Sequence, residues 1–133
     1  MNSKTINEII AKVKTIDIPE EFDTIVAIAR GGIIPAGLIQ QRLLSDVEII
    51  WINFRNENQQ PQHEEPILLK PINFEYLNKR ILIVDDRSRT GKTFVKVKEL
   101  LKGANIIKTL VVNGKADYSL FDEECFSFPW KIV

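Results

Sequence analysis

The run Ile81-Leu82-Ile83-Val84-Asp85-Asp86-Arg87-Ser88-Arg89-Thr90-Gly91-Lys92-Thr93 constrains the fold more than any other part of the chain. Four branched apolar residues in succession cannot all face one side of a strand. They predict a strand, Ile81–Val84, buried on both faces as in the middle of a parallel sheet. Two carboxylates close it, a short polar turn follows, and Thr90-Gly91-Lys92-Thr93 opens a helix whose apolar positions are Phe94, Val95, Val97, Leu100 and Leu101. The first turn of a helix carries unpaired N–H groups and the positive end of the macrodipole, so this arrangement sets an anion site beside two acids.

A Walker A loop is excluded although Gly91-Lys92-Thr93 matches its ending. That motif needs a glycine where this chain has Asp86, and a loop bearing Asp86 and Arg87 cannot wrap phosphates in bare backbone.

Similar logic reads the remaining segments. Ile6, Ile9, Ile10 and Val13 share a helix face, with Ser3 as the expected N-cap and Pro19 beyond the end. Thr24–Ala29 is a second buried strand, running into Arg30-Gly31-Gly32. A helix through Leu38, Ile39 and Leu43 follows, with Pro35 expected at its first position. Val47–Phe54 and Ile106–Val112 complete four predicted strands, Ile67–Leu69 offers a short return strand, and Gly103 an expected C-cap. Arg55 to Glu65 is polar, and a loop that long in a small domain is either functional or disordered. Strands alternating with helices predict an α/β fold: one Rossmann-like domain over 1–133, a mainly parallel central sheet flanked by helices, and a ligand at the strands' carboxyl ends.

Composition narrows the function classes. Eighteen basic and eighteen acidic side chains cancel, leaving no overall field to recruit nucleic acid or an anionic membrane. One cysteine, Cys125, excludes an internal disulfide, and one histidine, His63, excludes a zinc site or triad built on histidines. No apolar run has signal-peptide or membrane-spanning length, so a cytoplasmic protein is expected.

The thirteen residues from Ile81 to Thr93 resemble the phosphoribosyl-pyrophosphate (PRPP) motif of type I phosphoribosyltransferases: apolar strand, two acids, a short turn, then Thr-Gly-x-Thr. Arg87 and Ser88 depart from it, standing where apolar residues are usual. Ala-Arg-Gly-Gly-Ile-Ile-Pro-Ala-Gly, within Ile25 to Leu43, resembles the pyrophosphate loop of the xanthine–guanine and hypoxanthine branch, where the peptide before the basic residue, here Ala29–Arg30, is often cis. Phe128-Pro129-Trp130 is similar to that branch's ending, and Lys115 and Asp117-Tyr118 add to the likeness.

The resemblance implies a type I phosphoribosyltransferase fold with a small C-terminal hood from 113–133. It implies transfer of the phosphoribosyl group from PRPP to a nitrogenous base, a purine by the branch, with release of pyrophosphate, as in purine salvage. Asp85 and Asp86 would hold the ribose hydroxyls, directly or through Mg²⁺. Arg89, Thr90, Gly91, Lys92 and Thr93 would take the 5′-phosphate, and Arg30, Gly31 and Gly32 the diphosphate. Lys115 would bind the base, with Cys125 or Phe126 as its wall, and the polar loop would serve as flap. Arg89 stands where the purine branch carries an aspartate that can act as general base, a role arginine cannot fill. A homodimer is expected from the resemblance. Two further readings stay open: a PRPP- or nucleotide-binding regulatory protein without turnover, and a PRPP-dependent enzyme with a non-purine acceptor.

Overall fold

Residues 2–53 and 65–132 are described by the computed structural model. The predicted central strand is longer than its apolar core. β5 runs from Arg80 to Ser88, carrying Ile81, Leu82, Ile83 and Val84 with no exposed surface. It does not stop at Val84, because β6 (Ile106–Gly114) offers partners along its whole length, pairing Asp85 with Val111, Arg87 with Asn113 and Ser88 with Gly114. The polar residues expected in a turn are therefore strand residues.

On the other edge of β5 lies β2 (Thr24–Ala29), buried throughout and parallel to it from Thr24–Ile81 to Ala27–Val84. β3 (Asp46–Asn53) pairs in parallel with β2, and the two-residue β4 (Ile67–Leu68) turns back antiparallel on β3. β7 (Tyr118–Phe121) lies parallel to β6, so among the described residues the sheet order is β4-β3-β2-β5-β6-β7. Connections leave β2 and β5 toward opposite edges. The gap between their carboxyl ends is the switch point at which open α/β sheets bind ligands.

Helices cover both faces. α1 (Ile6–Thr15) and α2 (Ile33–Leu43) bring Ile9, Val13, Ala36 and Ile39 onto Ile25, Leu82 and Val84. α3 (Lys92–Leu100) sets Phe94 and Val97, followed by Leu101, against Val26, Ile81 and Ile83. Alternate β5 residues thus serve two cores, which accounts for the four-residue apolar run.

Local chemistry shifts several boundaries. The N-cap of α1 is Thr5, not Ser3. Thr5 Oγ1 accepts from the Glu8 N–H (3.1 Å) and Glu8 Oε1 accepts from the Thr5 N–H (3.3 Å), a closed capping box. Ser3 belongs to β1 (Asn2–Ser3), which pairs in parallel with β8 (Phe126–Ser127). α2 begins at Ile33, two residues before Pro35, but Pro35 still lies in the first turn, where no N–H is needed. Gly103 lies beyond the C-cap, which is Leu101.

The segment expected as a hood divides. β7 is the outer strand of the main sheet, and residues 122–128 fold back beside β5. Only residues 115–117 link β6 to β7, far fewer than a parallel crossover ordinarily takes. Asp117 pins the return: Oδ2 accepts from the N–H (2.9 Å) and hydroxyl (3.1 Å) of Thr109, and Thr109 Oγ1 accepts from the Asp117 N–H (3.0 Å).

Candidate active site

Past Val84, β5 keeps β6 on one edge, while its other edge faces the turn that ends β2. In that turn the Ala29–Arg30 peptide is cis, as the resemblance implied. The Gly32 N–H donates to the Ile28 carbonyl (2.7 Å) and the Ile33 N–H to that of Arg30 (3.1 Å). A Cβ on Gly32 would collide with the carbonyl oxygens of Val84 and Ile28, so only glycine lets the turn lie this close to β5. Since its N–H is already bonded, Gly32 shapes the loop rather than donating to an anion. One residue earlier, a Cβ on Gly31 would stand 2.5 Å from the Asp86 carboxylate. The glycine turn and the acidic pair therefore meet. Arg30, at the head of the turn, is exposed beside them.

The acids are ordered by β5. The Asp86 N–H donates to Asp85 Oδ1 at 2.8 Å, which fixes the first carboxylate over the backbone of the second. Beyond Ser88 the chain turns through Arg89 and Thr90 to Gly91, the N-cap of α3, whose φ of 78° suits glycine. No side chain caps α3 in the usual way, though the Lys92 N–H reaches Thr90 Oγ1 (3.3 Å). Asp85, Arg87, Ser88 and the loop from Arg89 to Thr93 line one concavity around this helix start. Such a start attracts anions through its N–H groups and dipole. Of the acidic pair, Asp85 thus shares a concavity with the expected phosphate loop, while the Asp86 carboxylate stands toward the glycine turn.

Across from that loop, Arg89 Nη2 donates to Cys125 Sγ at 2.8 Å, and Arg87 Nη1 approaches the same sulfur at 3.8 Å. The hydrogen bond from Arg89, aided by both positive charges and opposed by partial burial, holds the Cys125 thiol below its ordinary pKa. Cys125 is thus placed beside the phosphate loop. Phe126 is not placed as a surface wall. It is fully buried, edge-on to both Phe121 and Phe128 at centroid distances of 5.4 and 5.3 Å. Its carbonyl accepts from Arg87 Nη2 at 2.7 Å. Lys115 is not drawn into the cluster either, its ammonium being largely exposed and paired with Asp122 at 2.9 Å.

Two residues that hold this cluster together, Arg87 and Asn113, escape a reading of the sequence. Their signal is a polar pair at matching positions on adjacent strands, which needs the register of β5 and β6 to be seen. The polar loop from Arg55, read as a flap, lies outside the described residues apart from Glu65.

The donor set suits Mg²⁺. Magnesium keeps most of its waters and takes one or two carboxylates plus substrate oxygens, and the adjacent carboxylates of Asp85 and Asp86 could supply that share. No cluster of three or more metal-ligating side chains occurs among the described residues, so a metal here would depend on substrate or water for the rest of its shell.

Comparison with known proteins agrees with this geometry. A purine phosphoribosyltransferase from Pyrococcus horikoshii Ot3 superposes with a TM-score of 0.80 at 29% identity, over 98% of this chain and 94% of that one. A Neisseria gonorrhoeae protein with bound ppGpp gives 0.75 at 21% identity, over 99% and 89%. A hypoxanthine-guanine phosphoribosyltransferase from Bacillus anthracis gives 0.71 at 20%, over 95% and 85%. The last two likenesses bear on the fold alone. Residues 2–133 match the phosphoribosyl transferase domain, and the chain belongs to that family.

Proposed function

We propose that this protein transfers the 5-phosphoribosyl group of PRPP to a purine base and releases pyrophosphate. The observation that carries the proposal is the meeting of Gly31 with the Asp86 carboxylate, next to Asp85, which lines the concavity at the start of α3. A purine acceptor is supported by the likeness to the Pyrococcus enzyme, itself a purine phosphoribosyltransferase.

Each part answers a need of the reaction. The bond from ribose C1 to diphosphate breaks toward an oxocarbenium-like centre while a base nitrogen forms the new bond. The loop from Arg89 to Thr93 holds the 5′-phosphate with backbone N–H groups and the hydroxyls of Thr90 and Thr93. Arg30 and the Gly31 backbone receive the departing diphosphate, whose growing charge rewards donors already in place. Asp85 and Asp86 orient the ribose hydroxyls and would hold Mg²⁺, which when bound neutralises charge on the diphosphate. Cys125 stands at the side of the crevice where an acceptor base would stack.

A cytoplasmic homodimer completes the proposal. Among the described residues no helix is long and apolar enough to cross a membrane. The second reading, binding without turnover, is favoured by Arg89, which has no lone pair with which to accept a proton from the base. A steady-state assay with PRPP, Mg²⁺ and a panel of purines and pyrimidines separates the readings. The proposal expects base-dependent pyrophosphate release with at least one purine. PRPP binding without release for any base would favour the regulatory reading, and release with pyrimidines alone would overturn the purine assignment.

A further inference from the structure

We propose that Asn113 and Arg87 are positioning residues for the acceptor side of the crevice, acting through the backbone of residues 123–126. The inference deepens the proposed function and rests on it for the identity of the acceptor, but the positioning itself stands on geometry.

Residues 122–125 belong to no strand or helix, so something else must place Cys125. Asn113 and Arg87 face each other in the β5–β6 register, just beyond the acidic pair. Asn113 is 6% exposed. Its Nδ2 donates to the carbonyls of Glu123 (3.2 Å) and Glu124 (3.3 Å), and its Oδ1 accepts from the Glu123 N–H (3.0 Å). Arg87 Nη2 donates to the Phe126 carbonyl at 2.7 Å, and its guanidinium lies 4.7 Å from the centroid of the Phe128 ring. Two side chains from the strands beside the acids thus hold the backbone on both sides of Cys125. The sulfur is left against Arg89 of the phosphate loop. The distance between the acceptor wall and the sugar-binding acids is set by this pair, since a base must be held within a fraction of an ångström of its line of attack.

Removing the Asn113 amide strands three backbone groups and releases the loop. Cys125, the sole cysteine, reports the release without reference to catalysis. The charged groups around it are Arg87 and Arg89 from the β5 side, Glu124 on its own loop, Glu123 paired with Lys4 at 2.8 Å, and Asp122 paired with Lys115.

The experiment compares wild type with Asn113→Ala by two readouts, once circular dichroism shows that the variant folds. One is the pH profile of iodoacetamide alkylation of Cys125, and the other is KM for the base set beside PRPP affinity. The expected result is an alkylation inflection moved up toward that of a free thiol. With it goes a base KM raised by about tenfold or more, while PRPP affinity stays within about twofold. If Asn113→Ala does not fold, Arg87→Lys takes its place. It keeps the charge but loses the fork that reaches both Phe126 and Cys125, and it should move the same inflection and the same KM. An alkylation profile and base KM both unchanged would overturn the proposal, as would equal losses for PRPP and base. Should wild type transfer to no base at all, the alkylation profile alone decides the positioning claim, and the lack of transfer counts only against the proposed function.

Discussion

The carboxylate of Asp86 occupies the space that a side chain at Gly31 would need, with its atoms 2.5 to 2.6 Å from an ideal Cβ. This contact joins the turn after β2 to β5 and brings together two motifs 55 residues apart in sequence, from 31 to 86. Gly31→Ala should push the carboxylate aside. Since Asp86 is a side chain with room to give, the loss of stability should be small, about 1 kcal/mol. PRPP affinity should fall by at least about tenfold, because both the turn and the acid are displaced. Gly32→Ala meets backbone carbonyls instead and should cost about 3 kcal/mol or more in urea denaturation.

Asp23 contributes to the acid limb of stability. Arg80, at the start of β5, donates to it from its side chain (Nη2 to Oδ1, 2.9 Å; Nε to Oδ2, 3.2 Å) and from its backbone N–H (2.8 Å). The side-chain hydrogen bond, then the backbone one, lower the carboxyl from 3.8 to about 2. A carboxyl depressed in the folded state contributes stability above its unfolded pKa and loses it as pH falls through the folded one. The advantage of wild type over Asp23→Asn should therefore hold from neutrality to about pH 5 and vanish between about 4 and 2. Melting temperatures across that range measure it, and a constant gap would contradict it.

Much of this was legible beforehand because it depends on local runs. Four consecutive aliphatics mark β5, and glycines after Ala29 mark the turn. What depends on pairing was not legible. Asp85 to Ser88 have no apolar rhythm, and only β6 makes them a strand. Tyr118–Phe121 joins the sheet because Asp117 pins Thr109, a contact no periodicity reveals. Thr5, not Ser3, caps the helix because Glu8 stands three residues after Thr5 and closes the box. Phe126, offered with Cys125 as the wall for the base, packs edge-on in the aromatic cluster of the core.

Arg89 should limit the rate of transfer. It donates to Cys125 and cannot serve as a base. Arg89→Asp places a carboxylate beside the acceptor, and general-base help is typically worth about 10²–10⁴-fold. Single-turnover rates with guanine, hypoxanthine or xanthine should rise. A fall in rate accompanied by weaker PRPP binding would identify the arginine as a phosphate ligand instead.

PRPP is expected to bind between the glycine turn, the acidic pair and the start of α3. Calorimetric titration of PRPP with Mg²⁺ into wild type and into the Asp85→Asn, Asp86→Asn double variant tests it most directly. Wild type should bind saturably, and the folded double variant should show no measurable binding. Undiminished PRPP affinity in that variant would contradict it.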